Sequence, residues 1–333
     1  MRIPGPKGMS GMSAVDVVIP TYHPDAKLGQ LFSRLCRQSV LPGKILVVNT
    51  LDDTGAQDQQ DQMIRAMMDS AMSGLGDERP ELVLWHIAKD EFDHAGTRDE
   101  AIRKSNAPYV LLMTDDAMPA DRYLIEHLLD AFSNADIAAA YARQLPRQNA
   151  NCIERMTRQF NYPDSSFVKG IEDEQRLGIK TYFCSDVCAM YRRVDYDRLG
   201  GFSRPAIFNE DMVFVHRAMK DGKKVAYRAD AKVYHSHNYG GLAQLHRNFD
   251  NGVSQAMHPE VFEGISSENE GKKMLAGQMR ELLSHGRIIS AVSLIWISGC
   301  KYAGFFLGKR YRRLPRRLVM KLTSNQSFWA HLS

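Results

Sequence analysis

The sequence lacks both glycine-rich signatures of the common nucleotide-binding folds. No Gly-x-Gly-x-x-Gly segment follows the first apolar stretch, and no Gly-x-x-x-x-Gly-Lys-Ser/Thr segment occurs anywhere in the 333 residues. The first absence argues against a dinucleotide-binding site and the second against a P-loop. A chain of this kind that binds a nucleotide needs another device for the phosphates, such as a metal ion held by carboxylates.

Cysteine is scarce, and its five copies are odd in number and scattered along the chain. The closest pair, Cys184 and Cys188, stands in a β-like stretch and has no second Cys or His pair at zinc-finger spacing. We therefore expect reduced thiols that pack in the core, and neither a disulfide framework nor a structural zinc site.

Long apolar runs are missing from the amino terminus. Residues 1–13 contain Arg2 and Lys7 but no apolar stretch of the kind that a signal peptide or an anchor requires. We expect a flexible N-terminal segment over residues 1–13 and a catalytic part that is cytoplasmic.

Acidic residues are absent after Glu281, whereas nine basic residues follow it. The basic residues are Arg287, Lys301, Lys309, Arg310, Arg312, Arg313, Arg316, Arg317 and Lys321. Such a tail suits phosphate-bearing partners, either anionic lipid or nucleic acid. No recognisable nucleic-acid-binding motif accompanies the charge, so we expect an anionic membrane surface as the partner, and no nucleic acid.

The same tail contains an uncharged apolar run, Ile288–Cys300, which is followed by Lys301. Its thirteen residues are fewer than the ~20 that a membrane-spanning helix needs. The run therefore predicts an amphipathic segment at the membrane interface or a buried helix.

Upstream of the tail, short apolar stretches alternate with amphipathic ones. From Leu28 to Leu35, apolar residues stand at positions i, i+3, i+4 and i+7, the spacing of a helix that lies on a sheet. The predicted strands are 15–20, 44–49, 81–87, 109–113, 137–142, 182–192 and 224–227. The predicted helices are 28–35, 57–72, 97–104, 121–132 and 209–219. This alternation predicts an α/β fold with a mostly parallel, doubly wound sheet.

The fourth predicted strand, Tyr109–Met113, is followed after one residue by two adjacent carboxylates, Asp115 and Asp116. The carboxyl edge of an α/β sheet is where such folds bind their ligands. Neighbouring carboxylates repel each other unless a cation lies between them or they face different partners. A divalent metal carrying a substrate diphosphate meets both needs. A solvated turn before the helix near Asp121 explains the same residues, because Asp is common in turns.

Five features follow one another in order along the chain. They are a strand ending in Pro20-Thr21, the segment Phe92–Arg98, the pair Asp115-Asp116, the triplet Asn209–Asp211 and the segment His235–Tyr239. Together they resemble the family 2 inverting glycosyltransferases of GT-A fold, over about residues 15–253. More narrowly, the chain is similar to bacterial rhamnosyltransferases that build O-antigen and rhamnan cell-wall polysaccharides. The narrower resemblance includes the segments Arg143–Pro146, Phe160–Pro163, Leu177–Thr181 and Ser185–Cys188.

The resemblance implies a nucleotide-sugar donor bound together with Mg²⁺ or Mn²⁺. The residues that it places against the nucleotide sugar are Pro20, Thr21, Asn49, Arg98 and Asp115. Asn49 stands where the family usually has an aspartate that reads the pyrimidine, with Asp52 and Asp53 just beyond. Arg98, at the start of a predicted helix, can offer a bidentate fork to phosphate, although a lone arginine is more often part of a surface ion pair.

The resemblance also assigns Asp116 as a metal ligand, with a further ligand from His235 or His237. In an extended segment these two histidines alternate faces, so only one of them is expected to point at the metal. For either histidine viewed singly, an exposed polar loop is the alternative explanation.

The triplet Asn209-Glu210-Asp211 opens a predicted helix. Asn is a preferred N-cap, and acids in the first turn complement the helix dipole, which accounts for the composition. The resemblance makes Asp211 the general base, with Glu210 holding the geometry or contacting the acceptor, and we take both explanations together. It also implies that Arg143, Gln144 and Asn209 contact the donor or acceptor sugar.

From these inferences we expect a glycosyltransferase domain over residues 14–255 and a helical, basic, membrane-associating extension over residues 256–333. The expected reaction is the metal-dependent transfer of L-rhamnose from dTDP-L-rhamnose to a lipid-linked saccharide in cell-surface polysaccharide synthesis. The enzyme is expected at the inner face of the cell membrane as a peripheral protein. Two alternatives stay open: a transferase that uses another donor, such as a UDP-hexose, and a non-catalytic saccharide-binding scaffold of the same fold.

Overall fold

The computed structural model describes residues 13–76, 79–265, 267–330 and 332, so nearly all of the predicted flexible N-terminal segment lies outside it. The described residues form nine strands in one sheet, with helices on both faces. The strands are β1 (Val15–Tyr22), β2 (Lys44–Leu51), β3 (Glu81–Ala88), β4 (Tyr109–Met113), β5 (Met118–Pro119), β6 (Ile137–Leu145), β7 (Phe167–Lys169), β8 (Cys188–Arg192) and β9 (Lys224–Tyr234).

The strand order across the sheet is β3-β2-β1-β4-β8-β6-β9-β5, and β7 pairs with β9. The first four strands in this order are mutually parallel, which confirms the repeated strand–helix–strand pattern predicted from the sequence. β8 is antiparallel to both β4 and β6, and β9 is parallel to β6. The carboxyl ends of β1, β4, β6 and β9 therefore share one edge of the sheet, the edge at which α/β folds bind ligands.

Helices connect the strands and form the carboxyl-terminal part of the chain. The helices are α1 (Ala26–Leu35), α2 (Gln57–Met72), α3 (His94–Lys104), α4 (Leu124–Asp130), α5 (Cys152–Asn161), α6 (Glu174–Leu177), α7 (Arg193–Arg198), α8 (Glu210–Lys220), α9 (Gly241–Met257), α10 (Pro259–Phe262), α11 (Ser267–Ser284), α12 (Ile288–Gly308), α13 (Arg316–Leu322) and α14 (Gln326–Ala330).

Strand residues alternate between two hydrophobic cores, one on each face of the sheet. In β1, Val17 and Ile19 belong to a core with α1, α2 and α4, whereas Val18 belongs to the opposite core with α3 and α8. All three side chains are fully buried. Burial on both faces explains why these strands read as continuous apolar runs, and it confirms the doubly wound architecture.

The structure differs from the predicted elements just before β8. The strand predicted over residues 182–192 begins only at Cys188, because residues 178–181 form a 3₁₀ turn and Cys188 N donates to Ser185 O at 3.0 Å in a further turn. Cys184 and Cys188 are buried in the core, as predicted, and none of the five cysteines forms a disulfide in this structure. β5 and β7 were not predicted, since strands of two and three residues leave no periodic pattern.

α12 packs along α9 at very short range. A Cβ atom built at Gly304 would lie 2.1 Å from the carbonyl oxygen of Leu245, and one at Gly308 would lie 2.1 Å from that of Phe249. Gly252 meets α12 in the same way, with its Cβ position 2.4 Å from a carbonyl oxygen. Only glycine permits this approach, so the Gly-x-x-x-Gly spacing determines how closely α12 docks on α9.

α12 is 21 residues long and, among the described residues, is the one helix whose length and composition would let it cross a membrane. The prediction from the thirteen uncharged residues that precede Lys301 underestimated the length of this helix, which continues through Lys301 to Gly308. One of its faces is docked on α9, and the other presents exposed apolar side chains. This apolar stripe consists of Ile289, Val292, Ile295, Trp296, Tyr302 and Phe306.

Candidate active site

Asp115 and Asp116 lie at the ligand-binding edge of the sheet, directly after β4. Thr21 Oγ1 on β1 donates a hydrogen bond to Asp115 Oδ2 at 2.6 Å. Burial raises the pKa of Asp115; the hydrogen bond from Thr21 opposes this increase and the charge of Asp116 adds to it. Asp115 therefore faces β1, whereas Asp116 faces the segment after β9, and the two carboxylates serve different partners.

Asp116 faces two histidines. Its Oδ2 lies 3.2 Å from His237 Nε2, and its Oδ1 lies 3.5 Å from His235 Nε2. Ligand atoms of the three residues all lie within 4.8 Å of one another. A single divalent cation can contact all three from this spacing, and one carboxylate with two imidazoles is a donor set that such metals accept.

The expectation that only one histidine points toward Asp116 is wrong. It assumed an extended segment, but β9 ends at Tyr234 and residues 235–240 have no regular secondary structure. The two rings therefore do not alternate: their Nε2 atoms lie 3.1 Å apart and their centroids 4.8 Å apart. Both histidines are available as ligands of one metal.

A hydrogen-bond chain orients His235. Its Nδ1 lies 2.9 Å from Oε1 of Gln144, at the end of β6, and Arg158 of α5 donates to the same oxygen. Because a carboxamide oxygen only accepts, Nδ1 carries the proton, and the Nε2 lone pair faces Asp116. Gln144, predicted to contact a sugar, is 2% exposed and supports the histidine; a sugar contact from it stays a prediction.

The protonation states suit metal binding. Burial raises the pKa of Asp116, but its contacts with the two imidazoles, chiefly the hydrogen bond from His237, outweigh burial and hold this pKa below its usual range. Burial lowers the pKa of His235 to about 3, so its imidazole is neutral at neutral pH. A charged carboxylate and a neutral imidazole are the forms that ligate metal ions.

A second acidic cluster lies at the start of α8. Arg98 of α3 lies 3.3 Å from Glu210, from Nη1 to Oε1, and 3.9 Å from Asp186, from Nε to Oδ2. All three side chains are at most 9% exposed. Tyr191 donates a hydrogen bond to Asp186 Oδ1 at 2.6 Å. One arginine thus faces two buried carboxylates, and its single positive charge cannot fully compensate both.

Asp211 is partly exposed and lies next to this cluster. Met212 N donates to its Oδ1 at 2.7 Å, and Asp186 N donates to its Oδ2 at 3.4 Å. Burial raises the pKa of Asp211, and the charges of Asp186 and Glu210 raise it further. A carboxylate with a raised pKa is a stronger base, so Asp211 is suited to accept a proton from a hydroxyl group.

Asn209 does not cap α8, so the N-cap explanation is wrong for this residue. Its backbone is left-handed, with φ of 62°, and its side chain makes no capping hydrogen bond. Instead, Nδ2 donates to Asn251 Oδ1 at 2.8 Å and to Ser254 Oγ at 3.1 Å, both on α9. These bonds connect the start of α8 to the C-terminal helices and hold a conformation that non-glycine residues adopt rarely. Glu210 and Asp211 do lie in the first turn of α8.

The other predicted donor residues have different surroundings. Pro20 is half-buried near the end of β1. Asn49 is fully buried; its Nδ2 donates to Gln60 Oε1 at 2.7 Å and lies 2.9 Å from His86 Nδ1. Arg98 contacts the acids of the second cluster. Contacts of these residues with a nucleotide stay predictions.

Arg143, predicted to contact a sugar, lies on β6, and its buried Nε has no hydrogen-bond partner in the described part of the chain. Three residues of the site were not predicted: Arg147, which lies 3.4 Å from Asp116 Oδ2, Arg158 and Asp186. Arg147 follows the carboxyl end of β6, and this position could have predicted that it lies at the ligand-binding edge. Asp186 stood in a segment that carried the resemblance but had no assigned role, and nothing in the sequence marks Arg158.

Known proteins are similar to this chain over most of its length. The sequence profile of the family "Glycosyl transferase family 2" matches residues 16–200. The chain is 31% identical over 320 residues to the O-antigen chain rhamnosyltransferase RfbN of Salmonella typhimurium, which covers 96% of each protein. It is 28% identical over 324 residues to the O-antigen chain rhamnosyltransferase WbaN of Salmonella anatum, covering 96% of this chain and 97% of the relative.

Solved structures are similar in fold. The mannosyltransferase PcManGT from Pyrobaculum calidifontis, in complex with GDP-Man and Mn²⁺, aligns with a TM-score of 0.60 at 12% identity, over 90% of this chain and 87% of that one. S. aureus TarS 1-349 aligns with a TM-score of 0.50 at 13% identity, over 91% of both chains. These neighbours confirm the predicted GT-A architecture. The profile match and the two relatives establish that the chain is a glycosyltransferase and belongs to glycosyl transferase family 2.

Proposed function

We propose that this glycosyltransferase moves L-rhamnose from dTDP-L-rhamnose to a lipid-linked saccharide, with inversion at the anomeric carbon and with a divalent metal. Rhamnose is proposed because RfbN and WbaN, both O-antigen rhamnosyltransferases, each match 96% of this chain. The observation that carries the chemistry is that a three-residue cluster suited to a metal at Asp116 and a partly exposed carboxylate, Asp211, are connected by hydrogen bonds through Gln144.

Gln144 connects these two centres. Its Oε1 holds His235 of the metal cluster, and its Nε2 donates to Ser185 Oγ at 2.9 Å. The next residue, Asp186, donates its backbone N–H to Asp211. A donor bound at the metal cluster and an acceptor bound at Asp211 would therefore lie close together, with Gln144, Ser185 and Asp186 fixing the distance between their two binding sites.

The donor side is formed by the ends of β1, β4 and β9. A divalent cation held by Asp116, His235 and His237 would supply Lewis-acid charge to the diphosphate leaving group. Thr21 and Asp115, joined by a hydrogen bond, lie beside this cluster, and we assign them to the nucleotide part of the donor.

The three proposed metal ligands favour Mn²⁺ over Mg²⁺. Magnesium prefers oxygen ligands in near-ideal octahedral geometry, whereas two of the three groups here are imidazoles. The mannosyltransferase with the same fold holds Mn²⁺ in its complex, which supports the same choice.

On the acceptor side, Asp211 takes the proton of the attacking hydroxyl group. The oxygen forms its bond to the anomeric carbon on one face of the sugar, while the bond to the diphosphate breaks on the other. The backbone N–H groups of Met212 and Asp186 hold the Asp211 carboxylate in place, and the charges of Asp186 and Glu210 raise its pKa and so keep it basic.

We also propose that the chain divides into a glycosyltransferase domain, residues 14–255, and an extension, residues 256–333, that attaches it to the inner face of the cell membrane. The apolar stripe of α12 offers side chains for the lipid, and the basic residues after it attract anionic headgroups by about 1 kcal/mol each. α9 ends at Met257 and packs against α12, so the extension is rigidly joined to the domain.

The test is a transfer assay with the purified full chain, Mn²⁺ and a panel of nucleotide sugars. We expect dTDP-L-rhamnose to be consumed in the presence of a saccharide acceptor and a chelator to stop the reaction. Turnover with a UDP-hexose and none with dTDP-L-rhamnose would replace the proposed donor. Saccharide binding without turnover of any donor would favour the non-catalytic scaffold.

A further inference from the structure

A pocket of about 370 Å³ opens between α9, α11 and α12, apart from both acidic clusters. α9 contributes three carboxamide side chains to it, Gln244, Asn248 and Asn251. α11 and α12 contribute two cations, Lys272 and Lys301. No carboxylate lines the pocket within the described part of the chain, so its electrostatic character is positive.

Lys301 is a half-buried cation, and the nearby acid Glu154 forms its ion pair with Arg158 instead. Lys301 has no ion pair and no hydrogen bond among the described residues, and burial lowers its pKa against the opposing charge of Glu154. Lys273, on the exposed side of α11, differs because it lies 2.9 Å from Glu270. Withdrawing an unpaired ammonium group from water is costly, so the pocket favours a ligand that brings negative charge.

The position of the pocket connects it with the proposed base and with the apolar stripe. Asn251, on its wall, accepts a hydrogen bond at 2.8 Å from Asn209, which directly precedes Glu210 and Asp211. Tyr302, on another wall, is 57% exposed and belongs to the apolar stripe of α12. A ligand in the pocket therefore lies between the membrane-facing side chains and the start of α8.

We propose that this pocket binds the anionic linkage of the acceptor, meaning phosphate groups that join its saccharide to its lipid. Lys301 and Lys272 neutralise the phosphates, and the Gln244 and Asn251 carboxamides of α9 donate hydrogen bonds to the adjoining sugar, whereas Asn248 Nδ2 already donates to Gln244. The inference rests on the lipid-linked acceptor of the proposed function. It is supported by the order in which four groups lie along the molecule: the apolar stripe for the lipid, two lysines for phosphate, the Gln244 and Asn251 carboxamides for sugar, and then Asp211.

The test compares two acceptors that differ only in the linkage. The same saccharide is joined to a decyl chain either through a diphosphate or through a glycosidic oxygen, and transfer by the full chain is measured in detergent free of phospholipid. For Lys301→Ala, we expect the KM of the diphosphate acceptor to rise about 10-fold or more, the usual effect of losing one charge-assisted contact. The KM of the glycosidic acceptor and the affinity for the donor should stay as in the wild type.

Two further variants control for structural effects. Lys273→Ala removes a charge from α11 outside the pocket, where the side chain is 69% exposed, and should change neither KM. Lys301→Arg keeps the positive charge and should retain most of the affinity for the diphosphate acceptor. Thermal unfolding of Lys301→Ala should occur at no lower temperature than that of the wild type, since the variant loses no internal hydrogen bond and removes a half-buried unpaired charge.

An unchanged KM for the diphosphate acceptor in Lys301→Ala would overturn the assignment. If that variant kept the KM but bound anionic phospholipid vesicles more weakly, the pocket would belong to a lipid headgroup instead. If the wild type transferred to neither acceptor, the proposed function would fail separately. Calorimetry with the diphosphate acceptor would still decide the pocket: binding that depends on Lys301 supports it, and no binding overturns it.

Discussion

Asp115 and Asp116 are neighbours in sequence, yet the structure places them in opposite electrostatic surroundings. Burial raises the pKa of Asp115, whereas the pKa of Asp116, although burial acts on it too, is held below its usual range chiefly by the hydrogen bond from His237. Asp211 has no arginine of its own, and burial with two acids nearby raises its pKa. Asp116 is thereby suited to bind a metal, and Asp211 is suited to accept a proton.

Replacing Asp116 with asparagine removes a charge from the metal cluster and preserves its shape. We expect metal-dependent donor binding to weaken by about 100-fold or more. Loss of a residue that only hydrogen-bonds to a metal ligand already lowers metal affinity or activity by ~10–100-fold, and Asp116 is a proposed ligand itself. Isothermal titration calorimetry with Mn²⁺ and dTDP-L-rhamnose measures this affinity, and Asp69→Asn, an exposed acid on α2, is the control. Wild-type affinity in Asp116→Asn would exclude the cluster as the metal site.

Replacing Asp211 with asparagine removes the proposed base. We expect kcat to fall by ~10²–10⁴-fold, with donor affinity unchanged, because a base acts chiefly in the transition state. The unfolding temperature should not fall, since the amide relieves repulsion with Asp186 and Glu210. Steady-state kinetics measures kcat, calorimetry measures the donor affinity and thermal unfolding measures the unfolding temperature, all on one preparation. A variant that lost stability but kept turnover would show that Asp211 has only a structural role.

Asp186 should make the stability of the fold depend on pH. Burial raises its pKa to about 7, with Arg98 opposing and Glu210 adding to the increase. The native state therefore holds this proton more tightly than the unfolded chain, whose aspartates titrate near about pH 4, and the free energy of unfolding falls as pH rises between these values.

Asp186→Asn removes this titration. Urea unfolding at about pH 5 and about pH 7.5 should show a smaller loss of stability with pH in the variant than in the wild type. Asp69→Asn, which is exposed, should keep the wild-type dependence. An equal pH dependence in Asp186→Asn would mean that the carboxyl group is charged throughout this range.

At the scale of the elements, the pairing of α9 with α12 depends on backbone contact. Gly304 and Gly308 place α12 against the carbonyl oxygens of α9, at distances that no Cβ atom tolerates. Gly299, on the same helix, has no atom within 4 Å of its Cβ position. The two kinds of glycine should therefore respond oppositely to the same substitution.

Gly304→Ala should lower the free energy of unfolding by about 1–3 kcal/mol, because the added methyl group forces α12 away from α9. Gly299→Ala should instead stabilise the protein by up to about 1 kcal/mol, because alanine favours the helix and meets no neighbour. Denaturant unfolding of both variants measures the contrast. Equal changes would mean that the two helices do not pack at this distance in solution.

At the scale of the whole molecule, the C-terminal region is both a part of the fold and a candidate membrane surface. Phe249 and Val253 of α9 share a core with Val319 and Phe328 near the end of the chain. Removal of all residues after His285 would expose this core and the face of α9 that α12 covers. Membrane attachment is therefore better tested with point substitutions on the apolar stripe.

The double variant Val292→Ser/Ile295→Ser should bind anionic vesicles at least about 10-fold more weakly than the wild type, because two apolar side chains lose burial in lipid. These side chains are 62% and 60% exposed, so the fold should be unaffected. Co-sedimentation measures binding, and it should decrease as salt is raised. The control is Val194→Ser on α7, where the side chain is 66% exposed.

Undiminished binding by the double variant would exclude the apolar stripe as the membrane contact. Dissociation of a dimer into monomers in the same variant would assign the stripe to an interface between two copies of the chain. Size-exclusion chromatography with light scattering on both variants distinguishes this result from membrane binding.

The sequence by itself determined the elements and their chemistry wherever a local pattern encodes them. Apolar periodicity places α1 and the buried strands, because burial of one helix face or two strand faces leaves a regular spacing in the chain. The position of the carboxylates after β4 is predictable for a related reason. Residues that directly follow a strand lie at the edge where that strand ends, which here is the ligand-binding edge. The ordered motifs then identified the family.

Only the tertiary structure decided which of these residues meet. Both histidines face Asp116 because an irregular segment follows β9, and strand alternation does not apply to it. Arg98 pairs with Glu210, and Asn209 bonds to α9 rather than capping α8. These contacts join residues far apart in sequence or depend on loop conformation. Local patterns carry no information about either, because the partners are selected by the packing of whole elements.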